Sequence, residues 1–115
     1  MAGRFARRVD ANQRAVTAEL RVLGYSVELT HTVGGGFPDL AVGRWGITCN
    51  VELKNPDKPP SQRKLTPAER EWHGAWKGCS MVAETAEEID CFMRDLHNGN
   101  HEATRDMIVN RQVGA

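Results

Sequence analysis

From residue 10 onward, apolar positions recur at helical spacing. Val16, Leu20 and Leu23 form one stripe, three to four residues apart as on one face of a helix. Asp10 with Gln13 three residues later has the form of an N-terminal capping box, and Gly24 stands where a C′ glycine closes a helix. Gln13 lies one turn before Val16, so it points along the same inward stripe. Residues 25–32 alternate and are rich in β-formers, which predicts a strand. Gly34, Gly35 and Gly36 break it. Leu40, Ala41 and Val42 begin a second strand, and Gly46 turns the chain into a third over 47–54. Residues 55–64 hold three prolines and the cations Lys58, Arg63 and Lys64, and read as a loop. Thr66-Pro67-Ala68-Glu69 is a second capping box with Pro at N1, launching a helix to about Lys77 that Gly78 ends. A short strand over 79–84 follows. Thr85-Ala86-Glu87-Glu88 is a third capping box, and its helix carries Ile89, Phe92, Met93 and Leu96 as an apolar stripe before Asn98-Gly99 stops it. Helix, three strands, helix, strand, helix predicts an α/β fold: a mixed four-stranded sheet flanked by helices, the last strand reached through a helical crossover.

The length of 115 residues fits one small domain. We divide it into a basic arm (1–8), a core (9–97) and an unassigned C-terminal tail (98–115). With 40% apolar residues, 26% charged residues and zero net charge, the composition is globular and unlike that of a disordered chain. No run approaches the roughly 20 apolar residues of a membrane span, and no apolar stretch follows the basic arm as in a secretory signal. Cys49, Cys79 and Cys91 are widely spaced and odd in number, with no CxxC pair. That excludes a disulfide framework or zinc ribbon and predicts a cytoplasmic location. The zero net charge hides an asymmetry: residues 1–77 hold 12 Lys/Arg against 8 Asp/Glu, and residues 78–115 hold 3 against 7. A basic half points weakly to a polyanionic partner.

The chemistry concentrates in Pro38-Asp39 and, 13 residues after Asp39, Glu52-Leu53-Lys54. Side chains alternate along a strand, so Glu52 and Lys54 share a face about 7 Å apart while Val51 and Leu53 point into the core. If Asp39 begins the antiparallel neighbour, its carboxylate meets Glu52 across a gap of about 4.8 Å. Two converging carboxylates raise each other's pKa unless a positive charge lies between them. A divalent cation resolves that conflict, and Mg²⁺ (or Mn²⁺) takes hard oxygen ligands of this kind, with the Leu53 carbonyl a further donor. Lys54 would then hold or deprotonate an attacking water or stabilise transition-state charge. The plain alternative is an edge-strand salt bridge.

Gly36-Phe37-Pro38-Asp39-Leu40, Val51-Glu52-Leu53-Lys54 and Leu65-Thr66-Pro67 together resemble the PD-(D/E)XK nuclease superfamily. Within it the likeness is to small phage and prophage proteins of the VRR-NUC type, related in plan to archaeal Holliday junction resolvases. Asp10-Ala11-Asn12-Gln13, Pro60-Ser61, Trp72-His73 and Trp76-Lys77-Gly78 extend the resemblance over about residues 9–90. It implies a restriction-endonuclease-like αβββαβ core and metal-dependent hydrolysis of DNA in the bacterial cytoplasm. By position, Asp39 and Glu52 would be metal ligands and Lys54 the catalytic lysine. Relatives usually carry a glutamine just after the Leu-Thr/Ser-Pro start of the second helix; here that position is Glu69.

Two readings stand open for several of these residues. Glu69 completes the Thr66 capping box, yet it also shares a helical face with Trp72, His73 and Trp76 that should turn toward the sheet. Gln13 caps the first helix or enters the site from it. The tryptophans are core residues or base-stacking platforms. Gly35, in the glycine run, either belongs to a flexible connection or admits a phosphate to main-chain amides. Arg7, Arg8, Arg14, Lys58, Arg63 and Lys64 are either solvated cations or phosphate contacts. The expectation is a Mg²⁺-dependent endodeoxyribonuclease with structure selectivity for junction or branched DNA, acting on DNA as a homodimer and without a membrane. The alternative is a non-catalytic nucleic-acid-binding module on the same fold.

Overall fold

The structure is a computed structural model, and it describes residues 11–99. The basic arm with Arg7 and Arg8, the Asp10 cap and the tail from residue 100 lie outside the described residues.

Helix α1 (Ala11–Leu23) buries Gln13, Val16, Thr17 and Leu20 on one side. It ends in a Schellman motif: the Gly24 N–H donates to the Arg21 carbonyl (3.1 Å) and the Tyr25 N–H to that of Leu20 (3.0 Å). Gly24 has φ +105°, which a side chain would strain. Strand β1 (Ser26–Leu29) is shorter than the alternation predicts, because Thr30 and His31 already turn toward the glycines. Strands β2 (Leu40–Arg44) and β3 (Ile47–Leu53) form a hairpin whose two turn residues, Trp45 and Gly46, both have positive φ. The 55–64 loop contains a single 3₁₀ turn, Pro60–Gln62. Helix α2 (Pro67–Ala75) stops two residues short of Lys77, since Trp76 is extended. Strand β4 (Ser80–Ala83) and helix α3 (Ala86–His97) complete the described chain.

The sheet runs β1-β2-β3-β4, antiparallel except for the parallel β3–β4 pair. This is the mixed four-stranded α/β architecture that the pattern predicts. Val42, Cys49, Val51, Met81 and Ala83 join Val16, Leu20, Ile89, Phe92 and Met93 in one buried cluster, so α1 and α3 cover one face. The alternate residues of β3 and β4, which include Asn50, Glu52, Ser80 and Val82, point to the other face, where α2 lies. The third capping box differs from its pattern. Thr85 Oγ1 accepts from the Glu88 N–H as expected, but the Glu88 carboxylate takes the Glu84 N–H.

Candidate active site

The site occupies the α2 face of the sheet, at the ends of β2 and β3. The Leu40–Val51 register, continued by one residue, sets Asp39 opposite Glu52, and the Asp39 N–H donates to the Val51 carbonyl (3.0 Å). Asp39 Oδ2 accepts from the Leu53 N–H at 2.8 Å, which fixes the carboxylate against β3. The Asp39 carbonyl accepts from the Thr30 N–H (2.8 Å), and Thr30 Oγ1 donates to the Pro38 carbonyl (2.9 Å), so the approach to Asp39 is held from both sides.

Glu52 is buried at 4% exposure and Lys54 at 9%. Lys54 Nζ lies 3.6 Å from Glu52 Oε2 and 2.7 Å from Glu69 Oε1. The same Glu69 oxygen accepts from the Thr66 N–H (2.9 Å), and the Glu69 N–H donates to Thr66 Oγ1 (3.2 Å). Glu69 therefore closes the capping box and also reaches the buried lysine. Gly36 makes this approach feasible. At φ +84°, its missing Cβ would lie 2.7 Å from the Ala68 carbonyl carbon and closer still to the oxygen, so the glycine turn rests directly on the first turn of α2.

The electrostatics follow from this crowding. Burial, then the charges of Asp39 and Glu69, push Glu52 up to about 10, against the pull of Lys54. Glu52 thus keeps its proton at neutral pH. Burial also raises Asp39, partly offset by the Leu53 N–H. Burial acts upward on Glu69 as well, but Lys54 and the Thr66 N–H outweigh it and hold Glu69 below the usual carboxylate range. One turn along α2, His73 is buried, with Nδ1 3.2 Å from Ser80 Oγ, and burial pushes it down to about 4, so it is neutral at pH 7. Its Nε2 has no partner among the described residues. The pattern placed His73 on the inward face, but only the fold reveals Ser80 beneath it.

Among the described residues no group of three His, Cys, Asp or Glu is arranged to hold a metal ion. Glu69 is engaged by Lys54 and the Thr66 N–H. Asp39 and Glu52 remain, and their chemistry fits a hard divalent cation, with water and substrate oxygens completing the shell. When ionised, the three carboxylates exceed the one lysine by two negative charges, which a divalent cation balances.

The remaining predicted residues are placed as follows. Gln13 is buried, with Nε2 3.3 Å from His31 Nδ1. Lys58 and Lys64 are exposed in the loop, and Arg14 is exposed on α1. Arg63 is instead held at 3.4 Å from Glu84 Oε2. At Gly35 a Cβ would meet open space. The tryptophans depart from a core role: Trp76 is 43% exposed, and Trp72 stacks on it at 4.7 Å.

No family profile matches the chain, and no curated protein is similar to it in sequence. A solved structure described as a VRR_NUC domain is similar with 21% identity and a TM-score of 0.51, over 72% of this chain and 90% of that one. This chain shares the fold of that domain, a mixed four-stranded sheet flanked by helices.

Proposed function

We propose that the protein is a Mg²⁺- or Mn²⁺-dependent endonuclease that hydrolyses phosphodiester bonds in DNA, selective for branched or junction substrates and acting in the cytoplasm. One observation carries this reading. A lysine buried to 9% exposure is gathered with three carboxylates at one end of the sheet of a nuclease-type fold. An edge-strand salt bridge would be solvated and would not need Glu52 to retain its proton at neutral pH.

Asp39 and Glu52 would hold the cation, with the Leu53 carbonyl beside them. A bound divalent cation supplies neutralisation of the scissile phosphate and acidification of a water. The Leu53 N–H fixes the orientation of Asp39. Glu52 must lose its proton before it can ligate. Lys54, held by Glu69, places an ammonium beside the attacked phosphate and orients the water. Water attacks phosphorus, the bond to the 3′ oxygen breaks, and the leaving oxygen takes a proton, which gives a 5′-phosphate and a 3′-hydroxyl. Gln13, paired with His31, ties the start of α1 to the turn that follows β1. Arg14, Lys58 and Lys64 contribute phosphate contacts that carry no sequence information. A homodimer would double the limited DNA footprint and suit two-stranded substrates. Light scattering that gives 12.8 kDa for the free protein, and one protomer per DNA in the complex, would exclude it.

The test is cleavage of labelled single strand, duplex, flap and four-way junction in Mg²⁺, Mn²⁺ or EDTA, beside Lys54→Ala. We expect metal-dependent cutting, reduced on the order of 10²- to 10³-fold in the variant. The tight Lys54–Glu69 pair also favours a second reading, a binding module whose lysine is structural. Binding without cutting under every metal would establish that one.

A further inference from the structure

Beside the carboxylates stands an aromatic cluster that neither the fold nor the proposed chemistry uses. Phe37, two residues before Asp39, meets Trp72 edge-on at 5.1 Å and Trp76 at 6.4 Å. Trp72 and Trp76 stack nearly parallel, with 4.7 Å between centroids and 18° between planes. None of the three belongs to the buried core cluster. Trp76 is 43% exposed, and its indole edge lies over Gly78, where an added Cβ would come within 2.9 Å of Nε1. The backbone is shaped for this ring: α2 ends at Ala75 and Trp76 turns out in an extended conformation. Trp76 thus keeps part of a large apolar ring in water.

We propose that the Trp72–Trp76 stack, buttressed by Phe37, is a platform for an unpaired nucleobase of the DNA substrate, so that the enzyme selects DNA with a single-stranded segment next to the cleaved bond. This rests on the nuclease reading above and adds its substrate class. Three observations favour a base. The exposed ring of a stacked indole pair presents a flat π surface, which every base can cover regardless of sequence. A paired base has both faces occupied by its neighbours in the duplex and cannot reach it. The platform is also continuous with the carboxylate site: Phe37 joins the glycine turn to Asp39, and Trp72 is one turn beyond Glu69. Six helical steps from Glu69 to Ala75 rise about 9 Å, and Trp76 follows directly. A base on Trp76 therefore belongs to a nucleotide within about three steps of the reacting phosphate, at 3.4 Å per step. Exposed Arg70 and Lys77 lie on the same segment, as a polyanion would require.

The experiment measures equilibrium binding in EDTA, so that cutting plays no part. Fluorescent blunt duplex, the same duplex with a short single-stranded flap, and the flap with abasic sites are titrated with wild-type protein, Trp76→Phe and Trp76→Ala. Thermal melts confirm that each variant folds. We expect the wild type to prefer the flap over the blunt duplex. Trp76→Ala should lose about tenfold on the flap and much less on the duplex, and Trp76→Phe should keep most of the preference. The abasic flap should bind the wild type as weakly as the normal flap binds Trp76→Ala. Equal losses on all three DNAs, no change, or no DNA binding at all would overturn the platform. So would a Trp76→Ala effect confined to the oligomeric state, which would make the patch a protein contact. Failure of the nuclease reading registers separately, as this binding pattern without cleavage in Mg²⁺ or Mn²⁺.

Discussion

Glu52 is the residue whose protonation decides the state of the site. In the metal-free protein, burial together with Asp39 and Glu69 keeps it protonated up to about pH 10, whereas in the unfolded chain it ionises near 4.5. Between those values the unfolded chain has released a proton that the fold retains, so stability falls as pH rises. His73 acts in the opposite sense lower down. Its folded value of about 4 lies below 6.5, so its contribution is gained as pH rises to 6.5 and is then constant. Between pH 6.5 and 8 the Glu52 slope therefore stands alone of the two. We expect Tm in EDTA to fall across that window, and Glu52→Gln to flatten the fall, raise Tm at pH 8 and abolish cleavage. An unchanged slope in the variant would contradict this account. Glu69 yields a second expectation. Gln at 69 still accepts the Thr66 N–H but removes a negative charge that helps hold the Glu52 proton. Glu69→Gln should thus retain cutting, with the rising limb of its pH–rate profile moved to lower pH. Glu69→Ala, which loses cap and lysine contact together, should destabilise by about 1 kcal/mol or more and cut poorly.

At the scale of elements, the site depends on how closely the glycine turn approaches α2. Gly36→Ala would force a Cβ into the Ala68 carbonyl at a positive φ, and both groups are backbone, so α2 must shift and carry Glu69 away from Lys54. Gly35→Ala meets open space and adds only conformational strain. We expect Gly36→Ala to lose about 2 kcal/mol or more, roughly 8 °C or more in Tm for a domain this size, with a larger loss of cleavage. Gly35→Ala should lose about half as much stability and keep its activity. Comparable losses in the two variants would mean that strain alone is at work. The same elements show what the sequence makes legible. Period-3.6 stripes and capping boxes mark the helices because Thr66, Thr85 and Gly24 act locally. The β3 alternation puts Glu52 and Lys54 on one face with no tertiary information. The length of β1, the outward turn of Trp76 and the Ser80–His73 contact depend on what another element brings near. The aromatic stripe of α2 was ambiguous for the same reason: helical spacing places Trp72 on a face without saying whether a sheet or water lies opposite.

For the whole molecule, the proposed nuclease activity raises the question of how a chain of zero net charge would hold a polyanion. Several cations are already engaged: Lys54 by Glu52 and Glu69, Arg63 by Glu84, Arg94 by Asp90. Arg44 lies over the Tyr25 and Trp45 rings, at 5.0 and 4.4 Å from their centroids. Arg14, Lys58, Lys64, Arg70 and Lys77 are exposed, and the loop and α2 members flank the carboxylate site along the chain. If three to five of them neutralise phosphates, counterion release gives a log–log dependence of affinity on salt with a slope of about −3 to −4.5 on duplex DNA. That is shallow beside a dedicated DNA-binding protein, and it means weak binding at physiological salt unless stacking or a second protomer adds to it. Titrations in EDTA between 50 and 200 mM salt should return that slope. Lys64→Glu should lower affinity equally on blunt and flapped DNA and make the slope shallower by about one, because a phosphate contact carries no information about the bases. Trp76→Ala should do the reverse, weakening flap binding while leaving the slope unchanged, since stacking releases no counterions. A slope near zero for the wild type would remove the phosphate contacts, and with them the reason to regard DNA as the substrate.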